Sequence, residues 1–208
     1  MNRAFVAVAV LAGALVGSAA ALIFTSARTA PPVLERATLF ETPRPLPGFA
    51  LVDQAGRAYD RERMRGRWTL LFFGFVNCPD ICPTTLATLA EVRRVVADLP
   101  AAERPDVVLA SVDPARDKPA VLARYVAHFD PAFTGITGSD QSIEVLTRQL
   151  GVAVIIGPPA ADGSYAVDHS AAIFLIDPEA RLIAVFGTPH EAGAIARDYR
   201  SIVAARSG

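Results

Sequence analysis

Cysteine and histidine are scarce in this 208-residue chain: two cysteines, Cys78 and Cys82, and three histidines, His128, His169 and His190. With one cysteine pair, the chain is short of the two ligand pairs typical of a closed structural zinc site. Net charge is also nearly missing. A formal value of -1 gives no reason to expect nucleic acid or strong attachment to anionic lipid. Internal repeats and low-complexity tracts are absent too, so nothing divides the region from Gly48 to the C-terminus. At about 160 residues it is long enough for one domain with a real core.

Charge is absent altogether from Ala4 to Ser26, a stretch rich in Ala, Val and Leu behind Met1-Asn2-Arg3. Its length meets the roughly 20 residues that cross a bilayer and exceeds the roughly 7–15 of a signal-peptide core. Residues 1–26 are therefore expected to be a single N-terminal membrane anchor, with removal as a signal peptide left open by Ser18-Ala19-Ala20-Ala21. The positive-inside bias would keep Arg3 in the cytoplasm and send the rest of the chain across. Residues 27–47 carry Pro31, Pro32, Pro43, Pro45 and Pro47 with little apolar periodicity, which predicts an extended tether.

From Gly48 onward, Phe49–Asp53 and a turn at Gln54–Arg57 predict a leading hairpin that ends near Tyr59. Trp68 to Phe75 is a continuous apolar run short enough for a strand buried on both faces. Leu86, Leu89, Ala90, Val92 and Val96 keep helical spacing. A second buried strand is expected at Asp106–Val112 and a helix at Pro119–Phe129. Another helix should run from Gln141 to Leu150, capped by Ser139 or Asp140 and ended by Gly151. Val152–Ile156, a turn-rich excursion, a hairpin of Ala171–Asp177 with Leu182–Phe186, and a last helix from Glu191 to Ala205 complete the chain. This alternation predicts an α/β domain with a mixed central sheet and helices on both faces.

Both cysteines fall between the first buried strand and its helix, in Gly74-Phe75-Val76-Asn77-Cys78-Pro79-Asp80-Ile81-Cys82-Pro83-Thr84-Thr85-Leu86. Pro83 suits the first helical turn, where a missing N–H costs nothing. Free backbone N–H groups and the positive end of the helix dipole favour thiolate there, which predicts two activated sulfurs. A plain structural disulfide would close so small a loop that it would add little stability. Two soft thiolates with one imidazole suit copper, and Cu(II) would ask for a further ligand. Among the histidines, His128 lies in a last helical turn, where it complements the dipole. His190 follows Pro189 at the start of the last helix, which suits a surface or capping role. His169 sits at a strand entrance, and spacing alone leaves it open between a structural histidine and a ligand.

Together these residues carry a family resemblance. The cysteine stretch resembles the signature of the Sco/SenC family, the copper-binding, thioredoxin-like assembly factors of cytochrome c oxidase. Ser111-Val112-Asp113-Pro114-Ala115-Arg116-Asp117 is similar to its S-x-D-P-x-R-D segment. Val167-Asp168-His169-Ser170 and Leu175-Ile176-Asp177-Pro178 resemble its D-H-[ST] and L-I-D-P stretches, so the likeness covers the chain from Gly48 to the C-terminus. Asn77 stands where many members have His, and Ala171 follows Ser170 where larger residues are expected.

The resemblance implies a thioredoxin-like fold with Cys78, Cys82 and His169 as ligands of one copper ion, Cu(I) or Cu(II), per chain. Asp113 and Asp117 are either groups just outside that site or cap and turn formers. The implied function is a metallochaperone rather than an enzyme. It would be anchored with its domain in the bacterial periplasm, serving the binuclear copper site of cytochrome c oxidase subunit II and exchanging copper with another chaperone. The alternative is a thiol-disulfide oxidoreductase in which Cys78 and Cys82 keep that site's cysteines reduced. A peroxidase fits less well, since no threonine-rich pocket precedes the cysteines.

Overall fold

The computed structural model describes residues 33–46 and 48–207, and its axis is the apolar run that precedes the cysteines. Thr69–Gly74 form strand β4, in which every residue is buried. It pairs in parallel with β5, Asp106–Ser111, and antiparallel with β9, Ile173–Ile176. All four residues of β9 and five of the six in β5 are buried as well, so the middle of the sheet is covered on both faces. That covering explains why these strands read as unbroken apolar runs instead of alternating ones.

Five further strands complete the sheet: β1 at Ala37–Pro45, β2 at Ala50–Asp53, β3 at Ala58–Asp60, β6 at Thr134–Thr137 and β10 at Arg181–Phe186. The order across the eight is β1-β10-β9-β4-β5-β6-β2-β3. Parallel pairs join β4, β5 and β6, and the other pairs are antiparallel. Parallel neighbours need long crossovers. Helix α2, Ile81–Val95, supplies the first, and α3, Pro119–Phe129, the second. Short α1 covers Arg61–Met64, α4 Asp140–Leu150 and α5 Ala192–Ser207. Ser139 caps α4 by accepting the Ser142 N–H at 3.1 Å, and Gly151 ends it at a φ of 70° that favours glycine.

Two features depart from the sequence expectation. The tether expected over 27–47 is in part sheet: β1 pairs with β10 at the edge of the sheet, and Leu46 is buried. An edge strand tolerates Pro43 and Pro45, and its pairing is irregular between Leu39 and Arg44, so it has no clean alternation to read. The buried Asp198 carboxylate accepts the N–H groups of Glu35, Arg36 and Ala37 at 2.9, 2.7 and 2.8 Å, so ordered structure begins upstream of Gly48. Strand β6 was not expected either. It contains Gly135, where an added Cβ would come within 3.0 Å of Leu122 and 3.2 Å of Val126 on the helix above.

The expected anchor, residues 1–26, lies outside the described residues. Among the described residues, no helix is long and apolar enough to cross a membrane.

Candidate metal centre

The cysteine loop leaves the end of β4 and enters α2 within a few residues. Cys78 N–H donates to the Phe75 carbonyl at 3.3 Å, and the Cys82 N–H, in the first turn of α2, points at Cys78 Sγ from 3.4 Å. One amide of the helix start thus faces a sulfur, as the strand-turn-helix reading implies. Cys78 is half-buried, whereas Cys82 is fully buried. Burial, with the contact to Cys78 second, pushes the Cys82 thiol well above its ordinary pKa. This corrects the expectation of two activated sulfurs, because desolvation outweighs the helix terminus at Cys82. Room for its sulfur comes from Gly74, where a Cβ would lie 3.0 Å from Cys82 Sγ and 3.1 Å from both Leu109 and Phe72. A side chain at 74 would overpack the centre of the sheet.

His169 arrives on a different element. Strands β7, Val154–Ile156, and β8, Val167–His169, form a two-stranded ribbon apart from the main sheet, with Val154 opposite His169. Its Nε2 lies 3.4 Å from Cys82 Sγ. On the other side of the ring, Nδ1 sits 3.0 Å from the Ser170 carbonyl oxygen. A carbonyl can only accept, so Nδ1 carries the proton and Nε2 turns its lone pair toward the sulfurs. Metal-binding imidazoles are commonly oriented in this way. Burial lowers the imidazole pKa, while the Ser170 carbonyl and the Asp168 carboxylate act in the opposite direction. Phe72 and Phe75 meet the ring at 6.0 and 5.9 Å between centroids with interplanar angles of 72° and 85°, which confines it to one orientation.

One donor atom from each of Cys78, Cys82 and His169 falls within 4.8 Å of the others, the one such cluster among the described residues. A cleft of about 290 Å³ opens onto Cys78 and His169, with the exposed Asp80 and Asp168 at its mouth. Two sulfurs and a neutral imidazole match what copper prefers and fall short of a closed four-ligand zinc site.

The remaining expected residues divide. His128 is exposed at the end of α3, as its helix position predicts. His190 needs correction, because it is neither a surface residue nor a cap. It is half-buried, with Nδ1 3.0 Å from the Thr85 hydroxyl and its ring edge-on to Phe72. The inward turn of His190, next to the exposed Thr188 and Pro189, depends on tertiary packing, and no local pattern announced it. Asp113 and Asp117 are both buried. The Asp113 carbonyl accepts the N–H groups of Arg116 and Asp117 at 3.2 and 2.9 Å, which forms a turn. The Asp117 carboxylate accepts the Val76 N–H at 3.0 Å and the Ser111 hydroxyl at 2.7 Å, which ties down the cysteine loop. Burial raises the Asp117 pKa. Tyr165 belongs to the same group of contacts and carried no sequence signal, lying in a loop of turn-forming residues.

Residues 41–204 match the family described as SCO1/SenC. A "Putative copper-binding protein" of Stutzerimonas stutzeri is 39% identical over 156 residues, covering 72% of this chain and 74% of that protein. The mitochondrial SCO2 homologue of Mus musculus is 38% identical over 157 residues, which are 76% of this chain and 62% of that one. The match thus spans less than two thirds of the mouse protein's own length. The structure of Bradyrhizobium japonicum ScoI with copper bound aligns with a TM-score of 0.66 at 34% identity, covering 75% of this chain and 98% of that one.

Proposed function

We propose that this chain, which belongs to the SCO1/SenC family and has its thioredoxin-like mixed α/β fold, carries one copper ion on Cys78, Cys82 and His169 as cargo for cytochrome c oxidase assembly. The observation that carries the reading is the convergence of two sulfurs and an unprotonated imidazole nitrogen within 4.8 Å, from two separate elements, at the foot of an open cleft. The copper-bound state of a structural relative supports it. In the finer form of the proposal, the recipient is the binuclear copper site of oxidase subunit II and the donor is another copper chaperone. Residues 1–26 hold the domain at the membrane on the periplasmic side. The protein's own work is to bind and orient: the loop fixes two sulfurs, the Ser170 carbonyl holds the imidazole with Nε2 free, and the aromatic rings exclude water from one side.

One observation favours a second reading. Cys78 is accessible and Cys82 is buried behind it, the asymmetry expected of an attacking and a resolving thiol. The Cys78 thiolate would attack a disulfide on the target and form a mixed disulfide. Cys82 would then displace the target's sulfur, so that the target gains two thiols and this chain a disulfide.

His169 separates the two readings, because thiol exchange does not require an imidazole. The test is oxidase activity and copper content in membranes of cells that carry His169→Ala, grown with copper scarce. Copper delivery predicts a shortage of assembled oxidase. Normal values beside a stable variant would overturn it and leave the thiol chemistry.

A further inference from the structure

The segment Ser111–Asp117 touches both halves of the site without supplying a donor to it. At one end, Asp117 holds the cysteine loop through the Val76 N–H. At the other, Asp113 Oδ1 accepts the Tyr165 hydroxyl at 2.6 Å while Oδ2 pairs with Arg116 Nε. The Arg116 guanidinium lies 3.7 Å from the centroid of the Tyr165 ring, and its Nη1 donates to the Tyr165 carbonyl at 3.5 Å. Ser111 ties the two ends together, donating to Asp117 and accepting the Asp113 N–H at 3.0 Å.

Tyr165 lies just ahead of β8, four residues before His169. The ribbon beyond it is two strands that pair only with each other; Val167 is buried in the core and Val154 packs against it, while Ile155 and Ile156 are 65% and 55% exposed. Such a ribbon is marginal alone and depends on what docks it to the body. Tyr165 is gripped on its hydroxyl by the buried Asp113 and on its ring face and carbonyl by the half-buried Arg116, both of one turn.

We propose that Tyr165 is a positioning residue, held by Asp113 and Arg116, that sets where β8 presents the His169 imidazole to the two sulfurs. It thereby tunes the affinity for Cu(II), the state that depends on the nitrogen donor, more than that for Cu(I). The inference rests on the copper reading of the site. Its physical content is that a charge-assisted hydrogen bond and a stacked guanidinium, made outside the donor set, add to the packing of Val167 where the ribbon lacks pairing to the main sheet.

The test uses Tyr165→Phe, which removes the hydroxyl and keeps the stacked ring, alone and combined with His169→Ala. Hydrogen exchange of the metal-free protein should quicken several-fold over 154–156 and 167–169 and stay unchanged over 75–82. Affinity for Cu(II) should fall about tenfold, a typical cost for a group behind a ligand, with a smaller change for Cu(I). In the His169→Ala background the same substitution should cost nothing further, because its route to the metal is gone. Arg116→Lys, which keeps the charge and loses the flat face, should move exchange and affinity the same way. Ribbon exchange like the parent's would overturn the positioning role whatever copper does. An equal Cu(II) loss in both backgrounds would overturn the route through His169. If His169→Ala alone left Cu(II) affinity at the parent's level, the copper reading itself would fail, and ribbon exchange would still decide whether Tyr165 holds β8.

Discussion

The two sulfurs and the imidazole are held in opposite ways. Cys82 is fully buried in the first turn of α2, directly behind a strand with no exposed residue, and the loop before it is bonded to Asp117. His169 ends a short strand of a ribbon outside the main sheet, which meets the body through the buried Val167, the ring contacts of His169 with Phe72 and Phe75, and the grip on Tyr165. Local opening is cheapest where buried apolar contacts are few. The sulfurs are therefore a fixed base, and the imidazole is a separable lid on it. A site built this way suits cargo that has to leave, since releasing one donor does not disturb the core.

The largest effect should come from the fixed half. Replacing either Cys78 or Cys82 by serine should remove tight binding of both copper states, a loss of at least ~1000-fold or about 4 kcal/mol. Competition against a chelator of known affinity measures it. A serine variant that binds nearly as well as the parent would erase the distinction between base and lid.

A second contrast tests how far side-chain attachments carry a sheet edge. Strand β1 is bound to β10, and the N–H groups of Glu35, Arg36 and Ala37, just before and at its start, donate to the buried Asp198 carboxylate. Deleting residues 1–26 should leave a soluble, folded protein. A chain that starts at Gly48 strips the carboxylate of those partners and should lose about 3 kcal/mol or more. Urea unfolding of the two chains decides it. Equal stability would mean that β1 is an ornament and that the proline-rich stretch is a tether after all.

The smallest effect is on pH. Burial lowers the pKa of both His169 and His190 below 6.5, with the Ser170 carbonyl partly offsetting it at the first and the Phe186 backbone at the second. Between the lowered folded values and the unfolded one, the unfolded chain takes up protons that the folded chain refuses. Stability of the metal-free protein should therefore fall as pH drops through that window. Asp117, raised by burial, acts the other way: its contribution is full below its unfolded value and is lost as pH rises through its folded one. The two histidines should thus tilt the urea midpoints downward toward acid between about pH 7.5 and about 5.5, against the opposing tilt of Asp117. His169→Ala and His190→Ala should each flatten the slope, and an unchanged slope in both would contradict the burial assigned to them.

The same contrast explains what could be read from the sequence. The fixed half follows from local chemistry: an apolar run names β4, helical spacing names α2, and the cysteines fall where the one passes into the other. Strands β5 and β9 and helices α3 and α4 are legible for the same reason. The lid is not. That His169 faces the sulfurs is a tertiary fact, and only the family resemblance singled it out beforehand. The inward turn of His190, the grip on Tyr165 and the pairing of β1 all depend on partners 50 or more positions away, where no periodicity reaches. Burial of Cys82 likewise reverses the expectation drawn from its helix terminus.

In the proposed site, Cys78 and Cys82 form a base for copper and His169 closes it. Paired titrations of parent and His169→Ala, with Cu(I) under anaerobic conditions and with Cu(II), test this most directly. The substitution should weaken Cu(II) by about 100-fold or more, which is about 2.7 kcal/mol, and Cu(I) by less than about tenfold. Disulfide formation between the cysteines should remain intact in the variant. Equal losses for the two oxidation states, or no loss for Cu(II), would contradict it.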